Sequence, residues 1–159
     1  MRKWLLFLCV AFVVSCSSIE CPVDNMVVAV YEFCDEDGDP VVLEDTLTVS
    51  TKLRNGQDSV VLNKAVSVAG FSLPVSQDHP VDEFYFNFFG KYYDVTDTVW
   101  IEKEDIPHFE SIECKATFFH QLKSVSYTEH ILDSLAIKKA FVDYDYKTTH
   151  INIYLGGDR

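Results

Sequence analysis

The chain has 159 residues, 48% apolar and 14% aromatic, with 13 basic against 25 acidic side chains and a formal charge of −12. That length supports one domain with a real core and not two, and the aromatic and β-branched content excludes a disordered acidic tail. The acidic balance excludes nucleic-acid binding, because a phosphate backbone repels such a surface.

Arg2 and Lys3 precede an apolar run from Trp4 to Val14, which meets Ser15 and Cys16. A basic start, about a dozen apolar residues and a small residue before the cut make a secretory signal. A membrane-spanning helix needs about 20 apolar residues, and this run stops short at Cys16-Ser17-Ser18. The cysteine after Ser15 gives the segment the form of a bacterial lipoprotein leader, although Val13 stands where leucine is commonest. The expected organisation is a leader over 1–15, a lipidated Cys16 with a short tether over 16–22, and one domain over 23–159. Several acyl chains on one terminus give stable anchoring, at about 0.8 kcal/mol per buried methylene. Losing Arg2 and Lys3 takes the bases from 13 to 11 against 25 acids, so the mature formal charge is −14. Membrane contact is therefore expected through the lipid and not through a basic surface. Ser17 is not the aspartate that marks inner-membrane retention, and Ser17 to Glu20 lacks the acidic cluster of a surface-export signal. The expected location is the outer membrane, facing the periplasm.

With Cys9 removed and Cys16 lipidated, Cys21, Cys34 and Cys114 remain. The compartment beyond the inner membrane is oxidising, so one bridge is expected. Cys21–Cys114 is favoured, since it would tie the chain entrance to a later apolar strand. A loop of that size is worth about 4–5 kcal/mol in the chain-entropy model. Cys34 stands beside four acids, which blunt a thiol's reactivity. No C-x-x-C pair supports a redox enzyme.

Residues 26–34 are rich in strand formers, and Asp35 to Pro40 breaks the run with turn chemistry. Thr46 to Ser50 alternates with period two, Asn55-Gly56 is a hairpin signal, and Ser59 to Leu62 reads as the return strand. Val66 to Leu73 is a further apolar stretch. Along 82–89, Phe84, Phe86 and Phe88 fall on one face and Tyr85, Asn87 and Phe89 on the other. Gly90-Lys91 turns the chain into 93–101, where Val95, Val99 and Ile101 share a face. Glu102 to Pro107 reads as a charged loop, and Ile112, Cys114, Ala116, Phe118 and His120 as one face of a long strand. Residues 126–141 hold both a capping-box pattern and strand alternation, and strand is the expectation. Ile151, Ile153 and Leu155 form a final strand before Gly156-Gly157. Eight or nine short strands about ten residues apart predict an all-β chain, an antiparallel β-sandwich of immunoglobulin-like or fibronectin-like form.

The layout resembles a family of small uncharacterised β-rich lipoproteins typical of Bacteroidota. The residues carrying it are Cys16, Cys21-Pro22-Val23-Asp24-Asn25, Tyr31-Glu32-Phe33 and an Asp-Gly turn. Asp45 to Val49, Phe71-Ser72-Leu73-Pro74, and Cys114 followed by Phe118-Phe119-His120 complete the order. The resemblance implies a lipoprotein with a β-rich domain, paired cysteines at Cys21 and Cys114, and no assigned activity.

Four constellations bear on chemistry. Setting Gly38 at the sixth position of a calcium loop puts Asp35 third, Asp37 fifth and Glu44 twelfth, but Phe33 at the first position offers no oxygen. A solvated hairpin turn is the expectation there, with calcium the one candidate ion and no other cofactor. Cys114, His120 and His130 have no compact zinc spacing, so His120 is expected as a packed or edge histidine. Ser76-Gln77-Asp78-His79 is a turn between Pro74 and Pro80, and no G-x-S-x-G elbow occurs, so an enzyme is not expected. The fourth constellation is aromatic. Tyr85, Phe89, Tyr92, Tyr93 and Trp100 would line a sheet face for a protein partner or a glycan if that face were open. The expected role is a lipid-anchored structural or interaction domain of the cell envelope, with a ligand-binding module as the alternative.

Overall fold

A computed structural model describes residues 27–77, 79–112 and 114–156. The expected leader, Cys16, the tether and Cys21 lie outside the described residues. Ten strands and no helix are found among those described: β1 (Val28–Cys34), β2 (Thr46–Lys52), β3 (Asp58–Ala65), β4 (Gly70–Pro74), β5 (Val81–Phe89), β6 (Asp94–His108), β7 (Thr117–Tyr127), β8 (Leu132–Ile137), β9 (Phe141–Val142) and β10 (Ile151–Leu155). They form two sheets, ordered β4-β1-β10-β8 and β3-β2-β5-β6-β7-β9. The all-β expectation holds, and the two sheets enclose one core in a sandwich-like arrangement.

Period-two alternation explains the layers. Ala29, Tyr31 and Phe33 of β1, Leu47 and Val49 of β2, and Phe84, Phe86 and Phe88 of β5 all point inward and are buried. Tyr31 stacks on Phe71 at 5.0 Å and meets Phe86 edge-on at 6.2 Å, joining the two sheets through aromatic contacts. The Asn55-Gly56 turn closes the β2–β3 hairpin as expected. Gly56 takes φ +80, and Gln57 N–H bonds the Asn55 side chain. Gly70 is required by crowding, since a Cβ there would overlap the Tyr31 carbonyl of the neighbouring strand.

Several expectations are corrected. The sandwich is not purely antiparallel: β1 pairs with β10 in parallel, Tyr31 opposite Ile151 and Cys34 opposite Tyr154. Glu102 to Pro107 is not a loop but the second half of β6, paired with β7 through His108–Thr117. Conversely β7 begins only at Thr117, so Ile112, Cys114 and Ala116 precede the strand instead of sharing its face. The ambiguous 126–141 stretch does hold a strand, β8.

Candidate functional site

Strand direction sets two ends. The chain enters beside Val27, whose carbonyl accepts the Val75 N–H at 3.2 Å. β1, β10 and β5 all run away from that end, because β5 starts at Val81 just after the Pro80 loop. Their far termini bring together the 41–45 segment, the Gly90–Tyr93 turn and Leu155 around a cleft of about 470 Å³.

One wall of the cleft is the β5–β6 turn. Gly90 is buried, its N–H bonds the Tyr93 carbonyl at 3.0 Å, and a Cβ on it would strike the Tyr93 ring at 2.6 Å. The absent side chain therefore lets Tyr93 fold back under the turn, where its hydroxyl donates to Asp45 Oδ2. Tyr92 is instead thrown outward, 86% exposed, with Lys91 Nζ 4.9 Å from its ring centroid. Glu44 and Asp45 form the opposite wall. The cleft thus offers one aromatic face, carboxylates and a lysine.

The predicted aromatic face is split. Tyr92 and Tyr93 line this cleft, and Phe89 is exposed on the adjoining strand end. Tyr85 and Trp100 are half-buried on the outer side of the β5–β6 pair, away from it. Tyr85 is engaged already: it donates to Glu83, which pushes its phenol up, and Lys52 Nζ lies 5.4 Å from its ring. Asn87 fills the stretch between them with bonds to Asp94 at 2.6 Å and Thr96 at 3.1 Å.

The acidic segment after β1 forms a tight turn. Asp35 Oδ1 accepts the N–H groups of Asp37 at 3.1 Å and Asp39 at 2.9 Å, so its carboxylate holds the turn in which Gly38 takes φ +88. Asp35, Asp37 and Glu44 do not converge, and no group of three or more histidine, cysteine or acidic residues fit for a metal occurs among the described residues.

Alternation along β6 carries a feature the sequence reading missed: Asp97 and Lys103 occupy inward positions in register with Val99 and Ile101. Asp97 is fully buried. Its carboxylate accepts Thr128 Oγ1 at 2.6 Å, the His130 backbone N–H at 3.0 Å and ring Nδ1 at 2.9 Å, Ile131 N–H at 2.8 Å and Leu132 N–H at 3.0 Å. Burial pushes Asp97 up, but those bonds outweigh it and hold the carboxyl below its usual range. Toward the entry end, Lys103 Nζ donates to the His79 carbonyl at 2.7 Å and to Asp105 Oδ1 at 2.9 Å. The same oxygen lies 2.7 Å from His120 Nδ1. His120 is the packed histidine expected, fully buried, with Nε2 lacking a partner among the described residues. Burial keeps His120 low, with Asp105 opposing and Lys103 reinforcing the shift. Asp82, also buried, is pushed up by burial and partly relieved by Lys103. Among the described residues this network has a charged pair and an imidazole shifted toward its neutral form, and no nucleophile hydrogen-bonded to that imidazole.

Cys34 is a free, buried thiol, raised first by burial and then by Glu32. Cys114 is disulfide-bonded; its expected partner Cys21 lies outside the described residues.

No curated protein and no solved structure matches the chain. One family model matches residues 46–155, from the first residue of β2 to the last of β10. It takes in the Lys91–Tyr93 wall and the buried network of β6 and β7. The chain belongs to that family, DUF6452, a family of unknown function.

Proposed function

We propose that this chain is a lipid-anchored protein of the cell envelope, held by acyl chains on Cys16 to the periplasmic side of the outer membrane. Its domain works there by binding a protein partner and not by turnover. One observation supports the reading: the open aromatic cleft of Tyr92 and Tyr93 lies at the end of the sandwich opposite the chain entrance at Val27. An anchor at one end and a half-apolar concavity at the other suit presentation of a binding surface away from the bilayer. The buried polar groups favour binding over catalysis, because Asp97, Lys103 and Asp105 are spent on internal partners. Cys21 is the proposed partner of Cys114, and the immunoglobulin-like or fibronectin-like form of the sandwich belongs to the same reading.

A second reading rests on Tyr92 itself. A ring 86% exposed beside the Glu44 and Asp45 carboxylates has the chemistry that stacks on and hydrogen-bonds a sugar. A photo-crosslinking residue at position 92 in living cells tests both. A discrete protein adduct at 92, absent when the crosslinker sits at Ser124, supports the protein-partner reading. No adduct, with saturable glycan binding lost in Tyr92→Ala, replaces it by the second. The absence of both an adduct and saturable glycan binding overturns both readings. Palmitate labelling abolished by Cys16→Ala tests the anchor.

A further inference from the structure

β6 outruns the strand beside it. Its pairing with β5 ends at Glu102 opposite Val81, whereas its pairing with β7 continues to His108 opposite Thr117. The β6–β7 arm therefore projects past β5, and it does so at the end where the chain enters. There Lys103 N–H bonds the Pro80 carbonyl at 2.9 Å, and the same loop begins at Val75, bonded to Val27.

The arm is braced where its strands end. The His108 ring stacks on Phe119 at 4.1 Å, and Tyr144 and Phe141 meet Phe119 edge-on at 5.1 and 5.7 Å. Cys114 adds a disulfide. Past His108, Phe109 is 67% exposed and Ile112 is fully exposed. Two large apolar side chains held into water by a braced arm lose the gain of burial unless something covers them.

We infer that the cover is the phospholipid bilayer: Phe109 and Ile112 enter the boundary between headgroups and acyl chains of the membrane that anchors the chain. This rests on the anchor proposed above. Ten residues separate Cys16 from Val27, a reach of at most about 37 Å. A Cys21–Cys114 bond shortens the leash to the arm itself, since only four residues separate Cys16 from Cys21, at most about 17 Å. The acidic surface rules out attraction to anionic headgroups, so the contact is apolar and insensitive to salt. The one acid described on the outer arm, Glu110, turns back to His108 Nε2 at 2.9 Å.

The test uses the full lipidated protein in zwitterionic vesicles whose acyl chains are brominated near the headgroup, with tryptophan as the reporter. In a Trp100→Phe background, tryptophan is placed by Phe109→Trp, by Ile112→Trp or, at the opposite end, by Tyr92→Trp. Two arm variants guard against one failing to fold. The expected result is at least twofold quenching at positions 109 and 112 and none at 92, unchanged in high salt. A protein that floats with vesicles, carries acyl chains by mass spectrometry and shows no quenching at either arm position overturns the inference alone. A protein that neither floats nor carries acyl chains overturns the anchor, and the inference with it. Concentration-dependent shielding of the arm tryptophans without lipid assigns the tip to a second copy, and also overturns it.

Discussion

Asp97→Asn removes a charge from the centre of a five-bond cage while keeping the side-chain shape. The carboxylate serves two sets of donors: Oδ1 takes Thr128 and both His130 groups, and Oδ2 takes the N–H groups of Ile131 and Leu132. An asparagine amide keeps one acceptor and turns two N–H donors toward the other set. If the oxygen stays with Thr128 and His130, the Ile131 and Leu132 N–H groups lose their acceptor. At about 1–3 kcal/mol per orphaned buried donor, the cost is about 2–6 kcal/mol. For a domain of this size that is a fall in melting temperature of about 2–4 °C per kcal/mol, so about 8–16 °C for a mid-range loss. Urea titration and thermal melting followed by circular dichroism measure it. The pH dependence gives a second signature. A carboxyl held low in the folded state contributes stability that is complete above its unfolded pKa, about 3.9, and lost as pH falls through the folded value. The variant therefore has a flatter acid limb as well as a lower plateau. An asparagine variant within about 0.5 kcal/mol of the wild type, the range of an ordinary surface change, would refute the cage as a determinant of stability.

Two more predictions concern buried titratable groups. Burial depresses both His120 and His150, so keeping them neutral gives stability that is full above pH about 6.5 and drains as pH falls below it. Melting temperature should decline between pH 7.5 and 5 and decline less in His120→Gln; a His120→Gln profile that parallels the wild type would contradict the burial argument, since the opposing contribution of the raised Asp82 is common to both proteins. Cys34 should react with Ellman's reagent in denaturant and not in the native protein, because its sulfur is both enclosed and raised by burial; rapid labelling of folded protein at neutral pH would overturn that placement.

The parts of the fold that were legible are those written in local alternation. Phe84, Phe86 and Phe88 announce the inner face of β5, and Asn55-Gly56 announces its turn. β6 misled for a physical reason: Lys103 and Asp105 read as loop chemistry, yet each continues the inward–outward rhythm and pays for its position with a partner supplied by distant chain, His79 and His120. Burial of a charge depends on such partners, which no window of sequence contains. The parallel pairing of β1 with β10 was hidden for the same reason. The aromatic candidates do not share one face, because Gly90 lets Tyr93 fold inward while Tyr92 and Phe89 stay exposed. The acidic turn was legible as a turn from its residue types, but composition does not show that Asp35 is occupied by the backbone N–H groups of Asp37 and Asp39.

The pairing of the first strand with the last has a consequence for how the chain matures. β2, β5, β6 and β7 join neighbours in the sequence by short turns and can assemble as they emerge. β1, although made first, stands in the middle of its sheet and cannot be enclosed until β10, about 120 residues later, lies against it. Closure across such a separation is slow. The emerging chain thus stays open along one side until β10 is synthesised, and a product cut short before Ile151 leaves β1 and β8 without the strand that joins them. Completion of this domain is in effect a test that β10 has arrived.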